Sequence, residues 1–186
     1  LPGQQILEGD YIWQVRVFRN TPEYRYAGRV HNQIASVIQS NTPDVRMMRL
    51  PFRIEHDGYN LGTERLHQKF KERLHLVQDA IDVAEDDRVK NYYIFQKAKS
   101  LFMMKDFDAA YDTLECLDLD KLTDENAFDA CILGVHTSSR KMEKKKANAF
   151  ASHAMDVWPW EPMALFLKGV CLLGLSRFKQ ARTILL

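Results

Sequence analysis

The segment Ala98–Leu114 contains the pattern on which the predicted architecture depends: Ala98-Lys99-Ser100-Leu101, then Lys105-Asp106-Phe107-Asp108-Ala109-Ala110, then Leu114. A small residue at Ala98 lets two helices approach closely, and Ala110 is the small contact of the second helix. Asp106-Phe107 lies between them, where it makes the turn and packs against it. The pattern therefore predicts a helical hairpin.

The same layout occurs again further along the chain. One copy reads Leu167-Lys168-Gly169-Val170, then Ser176-Arg177-Phe178-Lys179-Gln180-Ala181 and Leu185, and a weaker copy has Leu133-Gly134, Ala147 and Phe150. The small residues Ala98, Gly134 and Gly169 are 36 and 35 positions apart, close to the tetratricopeptide period of about 34 residues. Residues 88–186 are thus predicted to form two and a half to three tetratricopeptide-like (TPR-like) units, with about five helices stacked as antiparallel pairs in a right-handed solenoid.

A connecting helix is predicted over residues 63–87, before the repeats. Its apolar positions follow helical spacing, at Leu66, Phe70, Leu74, Val77 and Ile81. Asp86-Asp87 interrupts this pattern and is suited to cap the next helix. The predicted fold class is therefore mainly α, with a small β-containing segment at residues 1–62.

Short alternating runs predict the β structure of that first segment. Tyr11–Phe18 alternates apolar and polar residues, Tyr24–Tyr26 resumes a short strand, and Met47–Ile54 is a third strand-like run. Turns are expected at residues 20–23 and 41–44, each of which contains a proline. Apolar spacing over Val30–Ile38 suggests a short helix or turn that carries His31.

Composition excludes several classes of protein. With 46% apolar and 27% charged residues, the 186-residue chain has the composition of an ordinary globular protein. Its formal charge of +1 provides no field to attract nucleic acid, and no apolar run reaches the roughly 18 residues of a membrane span. The three cysteines lack CxxC spacing and are expected to be buried, reduced thiols of a cytoplasmic protein. The sequence does not begin with Met, and its last amphipathic pattern has no helix cap or stop signal, so we expect it to be part of a longer chain.

The residues offer few candidates for chemistry. No Gly-rich phosphate loop, HExxH sequence or zinc-ligand spacing is present. His31 could bind a metal or a phosphate, or could simply be hydrogen-bonded at the boundary of an element, and the same alternatives hold for His56. Arg16, Arg19 and Arg29 could bind a diphosphate or remain solvated.

Two further patterns favour ordinary structural roles. The basic run Arg140–Lys146 lacks the interleaved aromatics and net charge of a nucleic-acid site, so it is interpreted as a solvated turn and the opening of a helix. Helically spaced aromatics are interpreted as mostly core, with one or two lining the concave face of the array; they are Tyr92, Tyr93, Phe95, Phe102 and Phe107.

The first 60 residues carry a more specific pattern. Val15-Arg16-Val17-Phe18-Arg19-Asn20 is followed by Tyr26-Ala27-Gly28-Arg29-Val30-His31 and by Ile54-Glu55-His56-Asp57-Gly58-Tyr59. In this order, and followed by helical repeats, the motifs resemble the C-terminal part of family 2 (GT-A) glycosyltransferases fused to tetratricopeptide repeats.

The resemblance implies a nucleotide-sugar donor, a divalent metal such as Mn²⁺ or Mg²⁺, and a protein or glycan acceptor held by the repeats. His31 would lie near the sugar diphosphate as a metal ligand. Arg16, Arg19, Arg29, His56 and Tyr59 would contact or support the substrate site. The family's glutamate after the histidine is Asn32 here, which puts transfer activity in doubt.

The nucleotide-binding half of that family is absent from this sequence, so the chain alone is not expected to catalyse transfer. Residues 1–62 would be a remnant of the catalytic domain, and their unpaired strands predict self-association through residues 11–60, for example as a dimer. The alternative function is a non-enzymatic TPR module that binds a peptide or protein on its concave face. A third possibility is a helical scaffold with a β cap and no site of its own.

Overall fold

Two units make up the chain, Leu1–Glu55 and His56–Leu186. The computed structural model describes residues 15–27, 34–50 and 62–186. Within these residues the chain is mainly helical, as predicted. Eight α-helices are present in the described residues: α1 Ala35–Asn41, α2 Thr63–Val83, α3 Asp87–Met103, α4 Phe107–Leu114, α5 Asp124–Arg140, α6 Lys144–Val157, α7 Pro162–Gly174 and α8 Phe178–Leu185.

The described part of the first unit contains one short helix, α1, and irregular chain. The predicted turns are present at Pro22–Glu23 and Pro43–Asp44. The Tyr24 hydroxyl and the Thr42 Oγ1 are 2.6 Å apart and tie the two stretches together, while the rings of Phe18 and Tyr26 meet edge to face.

The predicted strands do not form where the structure describes them. Residues 15–18, 24–26 and 47–50 contain no strand, and the rest of the predicted runs, at 11–14 and 51–54, lies outside the described residues. An alternating run forms a strand only where a second segment supplies backbone hydrogen bonds. Here the Arg25 guanidinium donates to the carbonyls of Thr21 and Tyr24 instead, and Val17 is 72% exposed rather than half buried.

The second unit is a series of helical hairpins. Each helix from α2 to α8 packs against the next one in sequence, and α3 also contacts α5, which in turn contacts α7. Contacts confined to sequence neighbours and to every second helix are typical of stacked hairpins. The connecting helix is confirmed as α2, and six helices follow it rather than five.

One small residue in the first helix of each hairpin receives a larger side chain from the second. A Cβ added to Gly134 would lie 2.5 Å from the Phe150 ring, and one added to Gly169 would overlap Leu185. Ala98 and Leu114 belong to one core cluster and are separated by the same 16 positions along the chain. The predicted hairpins are therefore α3–α4, α5–α6 and α7–α8.

Local side-chain chemistry fixes where several helices begin. Asp86 accepts a hydrogen bond from the Val89 N–H, as its predicted capping role requires, and Asp106 accepts one from the Ala109 N–H. Thr123 caps α5 and Glu161 caps α7. Pro162 occupies the first turn of α7, where a backbone N–H has no hydrogen-bond partner within the helix, so the N–H that proline lacks is not missed.

The three hairpin turns share one backbone conformation. Lys105, Met142 and Ser176 adopt positive φ angles of 64°, 61° and 59°. In each case the next residue's N–H donates to the carbonyl five positions earlier, as from Glu143 to Ser138 at 2.8 Å. This is the Schellman arrangement, in which glycine is the most favoured residue at the positive φ. None of the three positions is glycine, so each turn carries steric strain.

Met142→Gly is expected to raise the free energy of unfolding by about 1 kcal/mol, because glycine removes the Cβ clash of the left-handed conformation. Met142 is 81% exposed, so almost no packing is lost. Met142→Ala is the matched control, since it removes the same side chain but keeps the Cβ, and it should bring no gain. Urea denaturation followed by circular dichroism measures both, and equal stabilities of the two variants would contradict the strain.

Candidate functional site

The candidate site is a groove between the first helices of the second and third hairpins. It has a volume of about 380 Å³ and is lined by Ile132, Val135, His136, Ser139, Arg140 and Leu167. The α5 residues are spaced three or four apart, so they share one face of that helix. A hollow of about 440 Å³ lies at Ser176–Gln180, but five consecutive residues of one turn line it, so it is a surface dent.

The groove has an apolar side and a polar side. Val135 belongs to the core cluster of Ala147, Ala151 and Cys171, against which Leu167 packs. His136, Ser139 and Arg140 are exposed on the same helix face and supply hydrogen-bond donors. The arrangement suits a ligand that has an apolar part and an acceptor group next to it.

Aromatic rings of the first hairpin hold the two basic groups of the groove. The His136 ring lies 4.9 Å from the Phe102 ring and 5.5 Å from the Phe107 ring, measured between centroids. The Arg140 Cζ lies 4.2 Å from the Phe107 ring centroid. Such a cation–π contact contributes about 0.5–1 kcal/mol at an exposed position. It orients the guanidinium without using its N–H donors.

Arg140 differs from Lys141 and Lys146 in having no acidic partner among the described residues. Within the part of the chain that the structure describes, no carboxylate lies within 4 Å of its guanidinium. Lys141 pairs with Asp108 and Asp112, at 3.5 and 3.0 Å, and Lys146 pairs with Glu115. The hydrogen bond to Asp112 raises the pKa of Lys141, which therefore stays charged.

The basic run of residues 140–146 is thus divided between two roles. Its turn and helix opening are confirmed, because Met142 lies in the turn and α6 begins at Lys144. Lys141 and Lys146 join the second hairpin to α4. Arg140 lines the groove, a role that the sequence analysis missed because Phe107, the ring beneath it, lies in another hairpin.

Two of the six site residues predicted from the sequence lie among the described residues. Arg16 and Arg19 are exposed residues of the first unit. Arg29, His31, His56 and Tyr59 lie outside the described residues, so their predicted roles stay predictions. Among residues 15–27, 34–50 and 62–186, no three His, Cys, Asp or Glu side chains are grouped so as to hold a metal ion.

The three cysteines are unpaired and differ in environment. Cys131 and Cys171 are buried, as predicted, but the prediction is wrong for Cys116, which is exposed just after the end of α4. Burial raises the pKa of the Cys131 thiol to about 12 and also raises the pKa of Cys171. Lys168, three residues before Cys171, donates to Asn148 Oδ1 at 2.9 Å and Ser152 Oγ at 2.5 Å. It ties α7 to α6, and burial lowers its pKa.

No model of a known family, no curated protein and no solved structure matches this chain. Among the helices of the described residues, none combines the length and the apolar character needed to cross a membrane.

One thiol per native chain is expected to react with Ellman's reagent at pH 8, and three in denaturant, because only Cys116 is exposed. Cys116→Ser should remove the native reaction. A thiol that still reacts quickly in this variant would contradict the burial of Cys131 and Cys171.

The free energy of unfolding should fall as pH rises from about 9 towards 12. The buried thiols keep their protons in the folded state, whereas an unfolded cysteine ionises near pH 8.5. Above that pH the unfolded state therefore binds fewer protons than the folded state.

Proposed function

We propose that the helical unit binds an extended polypeptide segment that presents a carboxylate beside an apolar side chain. The observation that carries this proposal is Arg140, stacked on Phe107 and without an acidic partner among the described residues, at the edge of an apolar groove. A guanidinium donates two parallel hydrogen bonds to a carboxylate. The apolar side chain of the segment would occupy the space beside Ile132, Val135 and Leu167.

The repeated hairpins support a binding function of this kind. The spacing of Ala98, Gly134 and Gly169, and the contact each hairpin makes 16 positions later, favour a TPR-like array. Stacked arrays present extended surfaces that commonly bind peptides. Nucleic acid is disfavoured, because three lysines of the helical unit, Lys99, Lys141 and Lys146, are already paired with carboxylates.

Arg140→Ala is expected to weaken binding of a fluorescent peptide that alternates leucine and glutamate by at least about tenfold. A hydrogen bond to a charged group contributes about 1.5–3 kcal/mol, and 1.4 kcal/mol corresponds to tenfold in Kd. Fluorescence anisotropy measures the affinity. Arg65→Ala, which removes an exposed arginine of α2, is the matched control and should bind as the original chain does.

The same peptide with glutamine in place of glutamate lacks the carboxylate. Its affinity for the original chain should therefore be about as low as the affinity of the glutamate peptide for Arg140→Ala. Equal affinities of the two peptides for the original chain would refute the carboxylate contact.

We also propose, on the sequence motifs alone, that the helical unit serves a glycosyltransferase. The ordered segments Val15–Asn20, Tyr26–His31 and Ile54–Tyr59 favour a family 2 enzyme that transfers a sugar from a nucleotide-sugar. The groove would then hold the protein acceptor or a partner of the enzyme. The divalent metal would offset charge that develops on the leaving diphosphate. The unpaired cysteines fit a cytoplasmic location.

Calorimetric titration of UDP with Mn²⁺ tests the role proposed for His31. If this segment contributes donor-site contacts, UDP with Mn²⁺ should bind to the original chain, and this binding should be lost in His31→Ala. Removal of one imidazole ligand typically costs a large part of the metal affinity, so the loss should be tenfold or more. Binding that is unchanged by His31→Ala would contradict the proposed metal contact. His153→Ala, in α6, is the matched control.

A further inference from the structure

His136 is the second basic group of the groove, and two aromatic rings of the first hairpin hold its ring. The centroid distances are 4.9 Å to Phe102 and 5.5 Å to Phe107, and those two rings meet edge to face at 5.3 Å. Packing alone therefore orients the imidazole. In the part of the chain that the structure describes, neither of its nitrogens has a hydrogen-bond or ion-pair partner, so both are open to a ligand.

The imidazole lies between the two parts of the groove that the proposed function uses. His136 is four positions from Ile132 and four positions from Arg140, so the three side chains are neighbours on one face of α5. The Phe107 ring contacts both basic groups, because its centroid lies 5.5 Å from the His136 ring and 4.2 Å from the Arg140 Cζ. A carboxylate bound to Arg140 beside the apolar side of the groove is therefore within reach of the imidazole.

Among the described residues, the acidic groups of the helices around His136 are engaged elsewhere or lie far along the chain. Asp108 and Asp112 of α4 hold Lys141, and α7 has no acidic residue. The other acidic residues pair with a lysine, cap α4, or lie in the first turn of α5, at least about 16 Å along the helix axis: Asp87, Asp129, Asp106, Asp124 and Glu125. A carboxylate that meets the imidazole must therefore come from a ligand.

The positive charge next to the imidazole is Arg140, which opposes a second positive charge on the ring. Lys99 of α3 is paired with Asp129, and Lys168 of α7 is hydrogen-bonded to α6. The other basic residues of α3 and of the turn after it lie at the ends of the helix or contact α2: Arg88, Lys90, Lys105 and Lys97. A carboxylate bound to Arg140 offsets this opposition and adds an attraction, so it favours the protonated imidazole.

We propose that His136 gives the groove a pH-dependent second contact to the carboxylate, so that an acidic segment binds more tightly as the pH falls from 7.5 to 5.5. The inference rests on the proposed function of the groove, in which Arg140 holds that carboxylate. Histidine is the side chain whose charge ordinarily changes between pH 5 and 8. The protonated ring is positively charged and donates from both nitrogens, whereas the neutral ring donates from one.

Proton uptake on binding gives the direction of the effect. Because the bound carboxylate favours the protonated ring, protonation of the ring strengthens binding of the carboxylate by the same free energy. The segment keeps its own charge over this range, since an ordinary glutamate has a pKa of about 4.3. The affinity should therefore rise down to about pH 5 and fall below it, where the glutamate becomes protonated.

Fluorescence anisotropy at pH 7.5 and 5.5 tests the proposal, with the alternating leucine–glutamate peptide carrying a rhodamine label whose emission does not change over this range. The original chain is expected to bind the peptide at least about threefold more tightly at pH 5.5. The peptide with glutamine in place of glutamate should show no such gain, because it offers no carboxylate to the protonated ring.

Three variants separate the charge of His136 from its packing. His136→Gln cannot titrate, so it should bind at pH 7.5 about as the original chain does and gain nothing at pH 5.5. His136→Lys is charged at both pH values, so it should bind at pH 7.5 about as tightly as the original chain does at pH 5.5. A side chain that only packed would not give this second result. His153→Gln, in α6, is the matched control and should keep the pH dependence.

Two results would overturn this inference and leave the proposed function standing. They are an affinity for the glutamate peptide that does not change with pH, and a gain at pH 5.5 that persists in His136→Gln. Absence of glutamate-peptide binding at both pH values, or binding unaffected by Arg140→Ala, would overturn the proposed function and this inference with it. Circular dichroism of His136→Gln should match the original chain at both pH values, which shows that a lost pH dependence does not reflect unfolding.

Discussion

The helical unit depends on the close approach of two helices at one small residue in each hairpin. At Gly134 the Phe150 ring occupies the place that a Cβ would take, and at Gly169 Leu185 does so. Ala98 is fully buried beside Leu114 at the same separation. Because interiors are close-packed, such a contact sets both the distance and the register of the two helices. The turn between them then bends at the same backbone position, even though the residue there is not glycine.

Once the hairpins are fixed, their first helices stand side by side, and the groove lies where α5 meets α7. The scaffold repeats but the exposed chemistry does not. Acidic residues of α4 pair with Lys141, and Glu115, just after α4, pairs with Lys146, whereas α8 carries only basic charges.

The helical unit could be predicted from the sequence because its determinants are local. The spacing of Ala98, Gly134 and Gly169 predicted the hairpins, and Asp86 predicted a helix start that the structure confirms. The groove could not be predicted, because its key contact joins Arg140 to Phe107 across two hairpins. The strands failed for a related reason, since alternation at residues 15–18 does not reveal whether a pairing segment is present. The histidine motifs resembling a transferase lie outside the described residues.

The central claim, that the second and third hairpins are each held by a contact too close for a Cβ, is tested most directly by comparing Gly134→Ala with Gly174→Ala. Gly174 ends α7 and has no atom within 4 Å of its Cβ position, so alanine should leave the free energy of unfolding unchanged or raise it. At Gly134 we expect a decrease of about 1–2 kcal/mol, the overpacking cost less the gain in helix propensity. Urea denaturation of the two variants gives both values. A Gly134→Ala protein as stable as Gly174→Ala would contradict the account.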